Sequence, residues 1–136
     1  MTLIVCVDSR GGLLFNGRRQ SQDRLLREDL LREVSGHRLW MSQYSSRQFS
    51  REHIFEFSPS PDPLAAVEAD DFCFVEDLPV QPFLDHADQV LLYCWNRVYP
   101  ADRSLSLPLD TRWKLLRQTE FPGFSHEKIT KELYTR

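Results

Sequence analysis

The chain has 136 residues, 41% of them hydrophobic and 12% aromatic, enough to bury a core as one domain over residues 1–136 and too apolar for wholesale disorder. Its net charge of −3 lacks the basic balance of a nucleic-acid-binding domain, and no apolar run is long enough for a signal peptide or a membrane span. Cys6, Cys73 and Cys94 form an odd set without CxxC spacing. They read as buried reduced thiols of a cytoplasmic protein, not as a disulfide framework or a zinc site, and the four histidines show no metal-ligand spacing.

The first run, "TLIVCV" at 2–7, is continuously apolar and β-branched, as in a strand buried on both faces of a parallel sheet. "DSRGG" breaks it, and "LLFNGRRQS" is expected to follow as a loop. Ser21 is placed to cap the next helix, with Asp23 in its first turn complementing the helix dipole. In "QDRLLREDLLREV", Leu26, Leu30 and Val34 recur every four residues, widened by Leu25 and Leu31. Arg24, Glu28 and Arg32 stand at i,i+4 spacing on another face, and the helix ends near Gly36. "HRLWM" predicts a second strand, "SQYSSRQFS" the opening of a helix, and "HIFEF" a third strand. "SPSPDP" is a turn-rich connection and "LAAVEA" one or two helical turns. "FCFV" predicts a fourth strand, a short helix starts near Pro82, and "QVLLYCW" predicts a fifth strand. "RWKLLRQTEF" and "HEKITKELYTR", separated by "PGFS", predict a closing antiparallel hairpin. Strands that alternate with helices imply a mostly parallel sheet with helices on both faces.

In this order the elements resemble dihydrofolate reductase and its relatives over nearly the whole chain. "TLIVCVDSRGGLLFNG" is similar to that family's opening "LIxAxxxxxxIGxxGxLPW", and "HRLWMSQYSSRQF" to "KPVIMGRxTWES". "FCFVEDLPVQPFLDHADQVLLY" is similar to "VFVIGGGxxYxxFLPxADxLYLT", and Phe83, Leu84, Ala87 and Asp88 carry the most telling match. "FPGFSHEKITKELYTR" resembles the family's closing hairpin. The resemblance implies a three-layer αβα fold with a mostly parallel central sheet and a C-terminal antiparallel hairpin.

The departures bear on activity. The family has a Gly-Gly pair after the "VFVI" strand, where a bare backbone approaches the cofactor pyrophosphate. Here Glu76 and Asp77 hold those positions. Two like charges a few ångströms apart repel by about 1 kcal/mol even in water. The phosphate-holding "MGRxTWES" reads Ser42, Gln43 and Ser45 here, without the arginine. "LPW" reads "RRQS", from Arg18 to Ser21, and the threonine of "LYLT" corresponds to Tyr93. The resemblance therefore implies a kept fold and a lost conventional nicotinamide site.

The acid that the family uses to protonate its pterin lies on or just before the first helix. Asp23, Glu28 and Asp29 are the residues available, and Asp23 is the catalytic candidate. Its plain alternative role is at the helix start, and Glu28 pairs in solvent with Arg24 and Arg32. Arg18 and Arg19 are the best candidates for clamping a carboxylate or phosphate, against the plain reading of a solvated loop. Glu76 and Asp77 are separated from Asp70 and Asp71 by a strand about 13 Å long, so one shared metal site is not expected, and no metal is assigned. Their functional reading is recognition of a cationic or amide-bearing ligand. His126, beside Glu127, is a natural proton shuttle, against the plain reading of a hairpin histidine. No serine sits in a GxSxG motif.

Three functions compete. In the first, the chain is a dihydrofolate-reductase-like protein that is not a conventional NADPH-dependent reductase and binds a small ligand or a protein partner in the residual cleft. Arg18, Arg19, Ser42, Gln43, Ser45, Glu76, Asp77 and Tyr93 are the candidate ligand-binding residues. In the second it is an NAD(P)H-dependent oxidoreductase acting on a pterin or related heterocycle with a rearranged cofactor site. NADPH belongs to that reading only. In the third it is a structural or homo-oligomeric protein. Fold alone does not choose among them.

Overall fold

A computed structural model describes residues 1–49, 57–59, 62–107 and 112–136. Along the chain come β1 (Thr2–Val7), β2 (Gly12–Phe15), β3 (Arg18–Arg19), α1 (Arg24–Glu33), β4 (Leu39–Met41) and α2 (Gln43–Ser46), which runs into a 3-10 turn, Arg47–Phe49. Then follow β5 (Phe57–Pro59), α3 (Pro63–Ala66), β6 (Phe72–Phe74), α4 (Gln81–His86), β7 (Gln89–Cys94), β8 (Arg103–Ser104), β9 (Lys114–Phe121) and β10 (Ile129–Thr135).

Seven strands form one sheet of order β5-β4-β6-β1-β7-β10-β9. β1 lies in its middle, parallel to both β6 and β7, and this is why its run of apolar residues is unbroken. Leu3, Ile4 and Val5 are all fully buried. Alternate residues serve opposite faces. Leu3 and Val5 join Phe83, Leu84 and Trp113 in one core, and Ile4 joins Leu26, Leu30 and Tyr93 in the other. The stripe Leu26, Leu30 and Val34 holds α1 to that second face, each leucine contributing about 1.5–3 kcal/mol of burial. β10 returns antiparallel between β7 and β9, so the sheet is parallel except at its C-terminal hairpin. Among the described residues, no helix is long and apolar enough to cross a membrane.

Three local expectations are corrected. The stretch "LLFNGRRQS" contains a hairpin, β2 against β3, not a loop. Asn16 and Gly17 form its turn with φ of 52° and 71°, the left-handed pair that a two-residue turn between twisted strands requires. β2 also pairs with β8, giving a small second sheet of order β3-β2-β8. The cap of α1 is Asp23, not Ser21: one carboxylate oxygen accepts from the Leu25 and Leu26 N–H groups at 2.9 and 3.2 Å. Finally, β5 begins at Phe57 and includes Ser58 and Pro59 of the expected turn, while residues 53–56 of the expected strand lie outside the described ones.

Candidate functional site

The carboxyl ends of β1, β4 and β6 meet the β2–β3 hairpin, and Glu76 and Asp77 lie at this junction. Glu76 receives Arg19 in a two-pronged contact, Nε to Oε2 at 2.9 Å and Nη2 to Oε1 at 3.1 Å. Gln48 Nε2 donates to the same Oε1 at 2.9 Å. Arg19 also lies 4.4 Å over the Tyr44 ring, and its N–H donates to the Tyr44 hydroxyl. Both ends of the pair are largely shielded, with Glu76 7% exposed and Arg19 21%. The fork geometry suits a guanidinium, so a lysine would not reproduce it.

Asp77 faces the start of α2. Its Oδ1 accepts from the Ser42 hydroxyl at 2.7 Å, while Ser42 Oγ caps α2 by accepting from the Ser45 N–H. Arg19 and Ser42, two of the groups expected to greet a phosphate, are therefore taken by the protein's own carboxylates. Arg19 balances one of the two negative charges, and the remaining cavity beneath the Arg19–Glu76 contact measures about 10 Å³, room for at most one water. Asp70 and Asp71 stand at the other end of β6. Asp71 accepts from Trp40 Nε1 at 2.8 Å and pairs with Arg38, so the two acidic pairs do not share a site.

A second cluster joins the start of α1 to the loop between β9 and β10. Besides capping α1, Asp23 accepts from the N–H groups of Phe124 and Ser125 and from the Ser125 hydroxyl. His126 Nδ1 lies 2.9 Å from Asp23 Oδ2, and both side chains are buried. A carboxylate only accepts, so Nδ1 carries the proton. Burial alone pushes the Asp23 carboxyl up, but the donors from Phe124, His126, Ser125 and Leu26 outweigh it and hold the group well below the usual carboxylate range. Asp23 is thus an ionised anchor, a state that suits holding a histidine and not giving up a proton. Gly123 makes room for it: a Cβ there falls 2.7 Å from Asp23 Oδ2 and 2.8 Å from the His126 carbonyl. On its other side, His126 Nε2 meets the hydroxyls of Ser21 at 3.1 Å and Tyr99 at 3.0 Å. Trp95 stacks on the imidazole, with centroids 4.6 Å apart.

The other expected site residues scatter. Arg18 is exposed on β3 and lines a depression of about 550 Å³ with Phe15, Arg19, Gln20 and Tyr99. Gln43 is exposed on α2, and Ser45 is buried behind Ser42. Tyr93 is buried under α1, where its hydroxyl donates to Asp29 at 2.6 Å, and Asp29 in turn pairs with Lys131 at 2.8 Å. Burial, then the bond to Asp29 and its charge, push the Tyr93 phenol far up. Asp29 thus meets the residue at the family's threonine position, although it stands deeper in α1 than Asp23.

Asp8 was not singled out from sequence. Buried at the end of β1, it accepts from the N–H groups of Arg10, Gly12 and Tyr99 and from Gln20 Nε2. Those donors outweigh burial and lower its pKa. Gln48 and Tyr99 were also missed: their contacts span 28 and 27 residues, beyond the reach of periodicity. The acidic residue ending an apolar strand before Gly11 and Gly12 was the one local signal for Asp8.

No protein-family model matches the sequence, and no curated protein matches it. Among solved structures it is similar to dihydrofolate reductase from Enterococcus faecalis, recorded in complex with NADP(H) and RAB-propyl. The TM-score is 0.67 at 9% identity, over 99% of this chain and 95% of that one. At that identity the likeness speaks to architecture, and it agrees with the strand order above: the chain has a dihydrofolate-reductase-like fold.

Proposed function

We propose that the chain is a dihydrofolate-reductase-like protein that has given up the conventional nicotinamide dinucleotide site and binds a small anionic ligand beside it. The observation that carries this reading is the internal occupation of the phosphate end. Glu76 takes Arg19 and Gln48, and Asp77 takes Ser42. A pyrophosphate there must displace two carboxylates and meet their charge. The rearranged-cofactor alternative relies on Arg18, Arg19 and the Ser42–Ser46 helix start, and of these Arg19 and Ser42 are already engaged. Arg18 is different. It has no ion-pair partner among the described residues and lies beside the half-exposed Phe15 ring. The depression they line falls within the usual volume range of small-ligand sites, and a guanidinium next to aromatic rings suits a planar carboxylate.

A calorimetric titration with NADPH, with and without dihydrofolate, tests the first part. No saturable binding below millimolar concentration is expected. A dissociation constant near micromolar would overturn the reading, because it would mean that the Glu76 and Asp77 contacts open readily for a dinucleotide.

A further inference from the structure

We infer that Ser21, His126 and Asp23 form a nucleophile–base–anchor set able to take an acyl group from a small carboxylic ester. The inference is independent of whether a nicotinamide binds. A serine hydroxyl is a poor nucleophile unless a base lies within hydrogen-bond reach and a third group orients that base. All three parts are present. Asp23 Oδ2 holds His126 Nδ1 at 2.9 Å, so in the neutral ring Nε2 is the acceptor, 3.1 Å from Ser21 Oγ. The imidazole is fixed by the Trp95 stack and by burial, while Ser21 is only half-buried and lines the 10 Å³ cavity with Arg19, Gln20 and Glu76.

Two residues that line that cavity, Gln20 and Arg19, bear on a ligand. Gln20 Oε1 is buried and has no hydrogen-bond partner. The amide is not simply reversed, because its Nε2 donates to Asp8 Oδ2 and the Pro100 carbonyl. An orphaned buried acceptor calls for a donor, and a bound molecule or water supplies one. Among the described residues Arg19 is the cation lining this cavity, free to meet an oxyanion once its contact with Glu76 loosens.

In the step itself, the Ser21 Oγ–carbonyl carbon bond forms as the Oγ proton passes to His126 Nε2. The carbon–alkoxy bond then breaks, and the leaving alkoxide takes that proton. Water attacks the acyl-serine by the same route in reverse, releasing the carboxylic acid and restoring the serine. Tyr99 competes with Ser21 for Nε2, so the set is strongest when the phenol turns away. The closed cavity of about 10 Å³ holds no acyl group, so the ester enters only once the Arg19–Glu76 contact opens.

Diisopropyl fluorophosphate with intact-mass and peptide mapping tests this, on the wild type and on Glu76→Gln, whose cavity is no longer sealed by an ion pair. The expected result is a single phosphoryl adduct on Ser21 in at least one of the two proteins, absent in Ser21→Ala and formed several-fold faster in Tyr99→Phe. No adduct on Ser21 in either protein overturns the inference, as does an equal rate of labelling when His126→Gln is compared at unchanged circular dichroism.

Discussion

Asp23 shows how one side chain's environment decides its chemistry. It accepts from α1, from the β9–β10 loop and from His126. Replacing it with alanine removes a helix cap, worth about 1 kcal/mol, and strands the buried His126 Nδ1 donor, costing about 1–3 kcal/mol. A total loss of roughly 2–4 kcal/mol is expected, read from denaturant midpoints. The same contacts give a pH dependence. Because the folded carboxyl titrates below its unfolded value, near 4, its stabilisation is complete above that pH and fades as acid carries the protein down through the folded value. Asp23→Asn should therefore flatten the acid limb of the stability profile, and an unchanged limb would show that other carboxylates control it. The cap residue itself was visible in the sequence only as an acid near a helix start. Its six donors come largely from residues about a hundred positions away, and no local pattern announces them.

At the level of elements, legibility followed the reach of the forces involved. α1 was readable because its leucine spacing is local, and β1 because burial on both faces leaves a purely apolar run. The β2–β3 hairpin was readable in principle from Asn16–Gly17, but its strands are only four and two residues long, and their charged ends resemble a loop. What the hairpin does was not readable at all. It carries Arg19 across to Glu76 at the end of β6, a link over 57 residues. The resemblance flagged Glu76 and Asp77 as departures, yet the sequence suggested that they would disfavour a phosphate and recognise a cationic or amide-bearing ligand, whereas their partners lie within the protein. A double-mutant cycle on Arg19→Ala and Glu76→Ala should return a coupling of about 1–2 kcal/mol, above the 0.2–1 kcal/mol of exposed pairs. Additive single-mutant effects would mean that the Arg19–Glu76 pair does not help to hold the hairpin.

Over the whole molecule, protection falls from the centre of the sheet outward. β1 has neighbours on both sides and its central residues are fully buried, whereas β9 is an edge strand whose residues are nearly all exposed, including Leu115 and Leu116. Lys114, Arg117 and Glu120 along that strand discourage edge-to-edge pairing with another sheet. Native-state hydrogen exchange should therefore give the slowest amides in β1 and β7 and faster ones in β9. Equal rates across the sheet would indicate that it opens as one unit. The order of strands also sets a timetable. β1 leaves the ribosome well before both of its partners, β6 and β7, and the anchors of Asp23 come later still. The middle of the sheet must therefore wait for both partners, with its most apolar segment unpaired meanwhile. A topology so dominated by distant partners folds slowly for its size and leaves the nascent chain dependent on whatever shields that first strand.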